Sequence, residues 1–286
     1  MSDDNSIDLN EQFYRKCIEN GTLEMDGIGE DDELQNIEFL EHFDIHHLEM
    51  NACANIIPKF KNIKLKELII LDSAIETLEQ LQLENLEHFQ LILEEYELQY
   101  SVKVNLQSPK LKYLIIQGYN IVDIDPLKQL TQLTTVLLSC CMLHNIDVLA
   151  YLTNLKELHM DYNSILYIYP LQELKQLEIL TVTCNKITDF SPIQNHLNFK
   201  NYEIADQNKP SKEELILTEK VKNIYQNASL FRQIINKRNN SIGKLQLQTN
   251  KVIQQKLKQL QCNMGSFLNQ VVTHFQVLQN YEYGNQ

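Results

Sequence analysis

The sequence predicts an α/β solenoid: a curved parallel β-sheet on a concave wall, 3₁₀ or irregular structure on a convex wall, then a C-terminal helical module forming a hairpin or coiled coil. Three observations carry this. The apolar residues Leu111, Leu114, Ile116, Ile121, Ile124, Leu127 and Leu130 of LKYLIIQGYNIVDIDPLKQLTQ recur in LTTVLLSCCMLHNIDVLAYLTN, in LKELHMDYNSILYIYPLQELKQ and in the block that begins at Leu177, a period of 22 residues. After Asn208-Lys209-Pro210 the apolar spacing changes to steps of four and three, which line one helix face. The ends also differ in sign: residues 1–44 hold 14 acidic and 2 basic side chains, and residues 211–286 hold 10 basic and 4 acidic.

A unit of this length opening L-x-x-L-x-L is a leucine-rich repeat, which buries its apolar side only against copies of itself. Taken in order, Ile7, Phe13, Tyr14, Cys17 and Ile18 mark a cap helix over residues 6–19, stopped by Asn20-Gly21. Leu23 and Met25 supply the strand of a degenerate first coil, with Ile37, Leu40 and Phe43 in its return arm. The cap and first coil occupy 1–44, the solenoid 45–206, and the basic, Gln/Asn-rich helical region 207–286.

Early coils are irregular, 45–64, 65–85 and 86–110, and such length changes belong on the return side rather than on the strand ladder. Nine strands are expected, centred near Leu23, Leu48, Leu68, Phe89, Leu114, Val136, Leu158, Leu180 and Tyr202. Return arms of the form I-x-D-I-x-P-L, as in Ile121 to Leu127, fit tight 3₁₀ turns in which proline needs no donor partner. Cys53 and Cys141 occupy the repeat position that holds Asn163 and Asn185, on the inner wall of the turn.

The 22-residue repeat with I-x-D-I-x-P-L arms resembles the subclass found in bacterial internalins and in the leucine-rich regulatory subunit of protein phosphatase 1. The layout as a whole, with NIIPKF at 55–60, the YEIADQ terminal strand and the Gln/Asn/Lys-rich tail, resembles expanded leucine-rich-repeat families of anaerobic protists. The resemblance implies a binding scaffold, and the phosphatase likeness implies regulation of an enzyme as an alternative. It transfers no partner-binding residue.

Beyond Pro210, Ser211 and Glu214 form a capping box that starts a helix. Leu217, Val221, Ile224, Ala228, Phe231 and Ile235 make one seam, and Ile253, Leu257, Leu260, Met264, Phe267 and Val271 a second. Asn239-Asn240-Ser241-Ile242-Gly243 lies between them as a cluster of weak helix formers. A helix, a break and a second helix folding back is favoured over one rod.

Composition narrows the function. With 286 residues and 43% hydrophobic content the chain can bury a sizeable core. No apolar run approaches the ~20 residues that cross a bilayer, and MSDDNSIDLN lacks a secretory pattern, so a cytoplasmic location is expected. The six cysteines include no CxxC pair and are expected reduced. None of the 7 glycines forms a phosphate cradle. His42, Asp44, His46 and His47 are read as solvated surface side chains rather than a metal site. His159 and Asp161, with Glu157 and Tyr162, lack the nucleophile a catalytic pair would need. Asn227-Ala228-Ser229 is a chance glycosylation match. No enzyme activity, cofactor or metal is expected.

The positive expectation concerns the concave face. Period-two alternation sends Glu49, Ile69, Gln90, Ile115, Leu137, His159 and Thr181 outward in one stripe, and Asn51, Leu71, Ile92, Gln117, Ser139, Asp161 and Thr183 in another. Their apolar middle marks a patch covered by the chain's own tail or by a protein partner. Candidate contact residues are Ile69, Leu71, Ile92, Leu93, Tyr113, Ile115 and Leu137, with His159 and Asp161 beside them. The C-terminal helices offer self-association or docking on the last coil. The basic run from Lys220 to Lys258, without aromatic interleaving, makes nucleic acid or anionic membrane the less favoured partner.

Overall fold

In the computed structural model the described residues are 17–26, 40, 43–52, 64–73, 75, 78, 83–93 and 100–241, with side chains described to 231 and at 233. The strands among them are β1 (Thr22–Asp26), β2 (His47–Asn51), β3 (Glu67–Leu71), β4 (His88–Ile92), β5 (Ser101–Lys103), β6 (Tyr113–Gln117), β7 (Asn120–Asp123), β8 (Thr135–Leu137), β9 (Glu157–His159), β10 (Ile179–Thr181) and β11 (Asn201–Glu203). Nine of these form one sheet in the order β1-β2-β3-β4-β6-β8-β9-β10-β11, every neighbour parallel. The expected strand centres fall in one row: Leu23, Leu48, Leu68, Phe89, Leu114, Val136, Leu158, Leu180 and Tyr202 are successive register partners.

The core is the sum of these rows. Leu114, Ile116, Val136, Leu138, Leu158, Met160, Leu180 and Val182 are fully buried, as are the return-arm residues Ile146, Leu149, Ile168 and Leu171. Each such side chain contributes roughly 1.5–3 kcal/mol relative to exposure, and a slip of one residue would turn a whole strand's set to water, which holds the register.

On the return side, 3₁₀ turns occupy Asp125–Gln129, Asp147–Tyr151, Tyr169–Glu173 and Ser191–Ile193. The acidic or amide residue of the repeat motif starts them. Asp123, Asn145 and Asp189 accept the N–H groups of Asp125, Asp147 and Ser191 at 2.8, 2.8 and 2.9 Å. The surplus residues of the 86–110 coil form β5, which pairs with β7 in a separate two-stranded sheet. The main ladder passes from β4 to β6 without a register change.

Two repeated devices turn each strand into its return arm. Ala52, Asp72, Gly118, Cys140, Tyr162, Cys184 and Asp206, each four residues past a strand centre, have φ between 45 and 84°. This left-handed residue swings the next side chain inward. There Asn163 accepts from the N–H groups of Cys141 and Leu143 (3.0 and 2.9 Å) and donates to the carbonyls of Leu138, Met160 and Asp161 (2.7, 3.0 and 3.2 Å). Asn185 repeats this with Ile165 N–H and the carbonyls of Met160, Val182 and Thr183. Buried backbone groups that no strand can satisfy thus find partners.

Cys141 takes the same place with less capacity. Its thiol donates towards the carbonyls of Ile116 and Ser139 at 3.2 Å. Cys53 lies outside the described residues. Gln207 extends the row one coil further, accepting from Ile187 N–H at 2.9 Å and donating to the Val182 carbonyl at 2.7 Å.

The C-terminal helix runs Lys212–Ser241 and begins at the expected capping box: Ser211 N–H donates to Glu214 Oε2 at 2.7 Å, and Glu214 N–H to Ser211 Oγ at 3.2 Å. The chain divides into two compact units, residues 1–222 and 223–286. Within the first, Val221 and Thr218 are buried. Glu214 pairs with Lys186 at 2.9 Å, and Lys222 with Asp189 at 3.1 Å. Of the first predicted seam Val221 is buried and Leu217, Ile224 and Ala228 are half-buried, whereas Phe231 is exposed. The expected break at Asn239–Gly243 does not interrupt the helix over its described part, since Asn239, Asn240 and Ser241 are helical. Ile242 and Gly243, the cap helix before Cys17, the degenerate arm at Ile37 and the second seam lie outside the described residues.

Candidate binding surface

Because the sheet is ladder-regular, its outward residues form three straight rows. One contains Thr22, His47, Glu67, His88, Tyr113, Thr135, Glu157, Ile179 and Asn201. The next contains Glu24, Glu49, Ile69, Gln90, Ile115, Leu137, His159, Thr181 and Glu203. The last pairs Asp26, Asn51, Leu71, Ile92 and Gln117.

The strand residues expected in the patch share this face, with Gln90 between Ile69 and Ile115. Ile69, Ile115 and Leu137 belong to one row, with Leu71 and Ile92 paired in the row beside it. Tyr113, 40% exposed, stacks on His88 with ring centroids 4.2 Å apart. This aromatic shelf borders the aliphatic groups; His88 was missed because a histidine alone carries no apolar signal in the repeat.

Leu93 is a correction. It is only 7% exposed and belongs to the core. Alternation continues past the strand end, so residue 93 follows the buried Phe89 and Leu91 inward. Its coil lacks the left-handed residue found at this place in the other coils where it is described: Leu93 is absent from the positive-φ set, and its N–H donates to the Gln117 carbonyl at 3.0 Å.

His159 and Asp161 meet through two threonines. Thr183 donates both its N–H (2.7 Å) and its hydroxyl (2.8 Å) to Asp161 Oδ1, and the Thr181 hydroxyl donates to Asp161 Oδ2. With its proton committed there, Thr181 Oγ1 accepts from His159 Nδ1 at 3.0 Å. This contact fixes the His159 ring beside Thr181. Asp161 is consumed in ordering this end of the face.

At the other end lie carboxylates. Glu24, Asp26, Glu49 and Glu67 project from β1 to β3, with His47 Nδ1 2.9 Å from Glu67 and Nε2 3.9 Å from Glu49. Asp44 pairs instead with Lys64 at 2.8 Å and lies 3.8 Å from His46. The Lys64 hydrogen bond lowers its pKa. His42 lies outside the described residues, and among those described no group of three or more His, Cys, Asp or Glu side chains could hold a metal ion.

Thiols line the rim beyond the strands. Cys140 and Cys184 are half-buried and flank the exposed Tyr162, while Cys141 is buried; all are unpaired. Burial pushes the Cys140 thiol up, with the Asp161 charge adding to it. Burial also raises Cys141 far above the ordinary thiol range. No described helix is long and apolar enough to cross a membrane.

A family model described as "Leucine Rich repeats (2 copies)" matches residues 153–195. Among solved structures, an internalin (inlF) from Listeria monocytogenes is 24% identical, with 72% of this chain and 65% of that chain covered and a TM-score of 0.49. An internalin C2 from the same organism is 24% identical over 50% of this chain and 72% of that one, with a TM-score of 0.38. The chain of a TLR13–ssRNA13 complex is 20% identical over 68% of this chain and 33% of its own, with a TM-score of 0.45. The chain thus spans about 65% of the length of the inlF internalin. No curated protein sequence matches.

Proposed function

We propose that this chain is a non-enzymatic interaction scaffold that binds a protein partner on the outward face of its sheet. The observation that carries the reading is the set of apolar residues Ile69, Leu71, Ile92, Ile115 and Leu137 that share the outward face of neighbouring strands, with Tyr113 beside them. Solvated strand faces ordinarily carry polar groups, and an apolar patch rimmed by polar residues is the common form of an interaction site. Rows fixed by backbone pairing present such side chains without an ordering cost on binding. A cytoplasmic setting fits the unpaired cysteines. A photo-crosslinking residue placed at Tyr113 is expected to capture a partner, and one at Tyr151, exposed on a 3₁₀ turn, is not. Equal capture from both positions contradicts the reading.

Self-association is a second reading, favoured by the exposed Leu215, Ile216, Leu230 and Phe231 of the C-terminal helix. Mass in solution tests it: a concentration-independent monomer rules it out.

A further inference from the structure

The charge pattern around the patch narrows the class of partner. Within β1 to β4, β6 and β8 to β11, no outward position carries Lys or Arg. Carboxylates stand on both sides of the apolar centre, Glu49 and Glu67 on β2 and β3, and Glu157 on β9. Among the described residues, Lys66, Lys112, Lys156 and Lys200 stand immediately before strands of the sheet, where Lys112 pairs with Glu87 and Lys200 with Glu178. An acidic partner would meet like charge on both flanks, and a wholly apolar one would strip water from carboxylates that gain nothing in return.

Dimensions follow from the strand order. Adjacent strands lie about 4.8 Å apart, so the apolar centre from β3 to β8, three spacings, is roughly 14 Å across. From Glu49 on β2 to Glu157 on β9, five spacings, the distance is roughly 24 Å, the length of about 16 helical residues.

From this we infer that the face takes a basic amphipathic protein segment, with apolar side chains along about four turns or an equivalent extended run and Lys or Arg at both ends. The inference rests on the reading of the outward face as the partner surface, and the test separates the two. The probes are two labelled 18-residue amphipathic peptides with the same leucine stripe, one with Lys at both ends and one with Glu, titrated against the full chain by fluorescence anisotropy. The Lys peptide is expected to bind at least tenfold more tightly. The Glu49→Lys/Glu67→Lys variant should weaken it by about tenfold. The control Glu213→Lys/Glu219→Lys, on the C-terminal helix, should change it less than twofold.

Equal binding of the two peptides, or equal losses from both charge reversals, overturns the inference, since only bulk charge would then be at work. If Ile115→Asp/Leu137→Asp abolishes binding of both peptides while Glu49→Lys/Glu67→Lys is silent, the surface stands and the basic partner class falls. If that aspartate variant binds the Lys peptide as the parent does, the surface reading falls too. A dimer of the full chain that the Lys peptide dissociates identifies the occupant as the basic 220–281 segment of a second copy, which has the inferred chemistry and supports the inference.

Discussion

The carbonyl oxygen of Leu93 lies where a side chain on residue 118 would begin, and the Leu93 Cβ is 3.1 Å from the same point. Gly118 also has φ of 84°. The coil of 25 residues that precedes it omits the left-handed residue at its own position 93, and the displaced backbone fills the space that a side chain would need at 118. Glycine is required here by both conformation and contact.

Gly118→Ala is therefore expected to destabilise the chain by about 2–4 kcal/mol, more than the ~1 kcal/mol that φ alone would cost. Urea unfolding measures it. A loss below about 1 kcal/mol would mean that the Leu93 backbone moves away freely.

Asn163→Ala removes an amide that serves five backbone groups across two coils. Buried, unsatisfied N–H and C=O groups should cost roughly 2–4 kcal/mol. Asn163→Cys should cost less, because the neighbouring coil already accepts a cysteine at this place in Cys141. The order Ala worse than Cys, by thermal unfolding, is the check.

Thiol accessibility should follow the ladder. Cys17 is exposed and Cys140 and Cys184 half-buried, whereas Cys141 is buried with its thiol pushed far up. In native protein at pH 8 a thiol reagent should label Cys17 first and leave Cys141 until unfolding, read by peptide mass spectrometry.

Acid should weaken the start of the C-terminal helix. Burial alone would raise the Asp189 pKa, but hydrogen bonds from Ser191, Tyr169 and Lys222 outweigh it and hold the carboxyl well below the usual range. Glu214 is lowered in the same way, burial being outweighed by Lys186 and Ser211. A depressed pKa gives stabilisation that is complete above the unfolded value, near 4, and lost as pH falls below it. Asp189→Asn should remove about 1 kcal/mol at pH 7, discounted for partial solvent screening, and reduce the fall in stability on acidification. Urea unfolding at pH 7 and pH 3 measures both.

The repeat made the strand ladder legible because its period fixes register: once Leu114 is inward, Val136, Leu158 and Leu180 must be. The outward strand positions followed from the same alternation, which sends Leu93 inward. Gln207 was within reach as well, since it stands 22 residues after Asn185. The contact between Leu93 and Gly118 was not, because it arises from a coil longer than its neighbours, where period no longer reports position. The His159–Thr181–Asp161 relay depends on cross-strand neighbours 20 and 22 residues apart, whose hydrogen bonds no local pattern announces.

The most direct test of the interaction surface is quantitative partner capture by the full chain and its Ile115→Asp/Leu137→Asp variant, with circular dichroism confirming that both are folded. Two buried-edge charges on the centre of the patch should reduce capture at least tenfold. Undiminished capture by the folded variant would contradict the account.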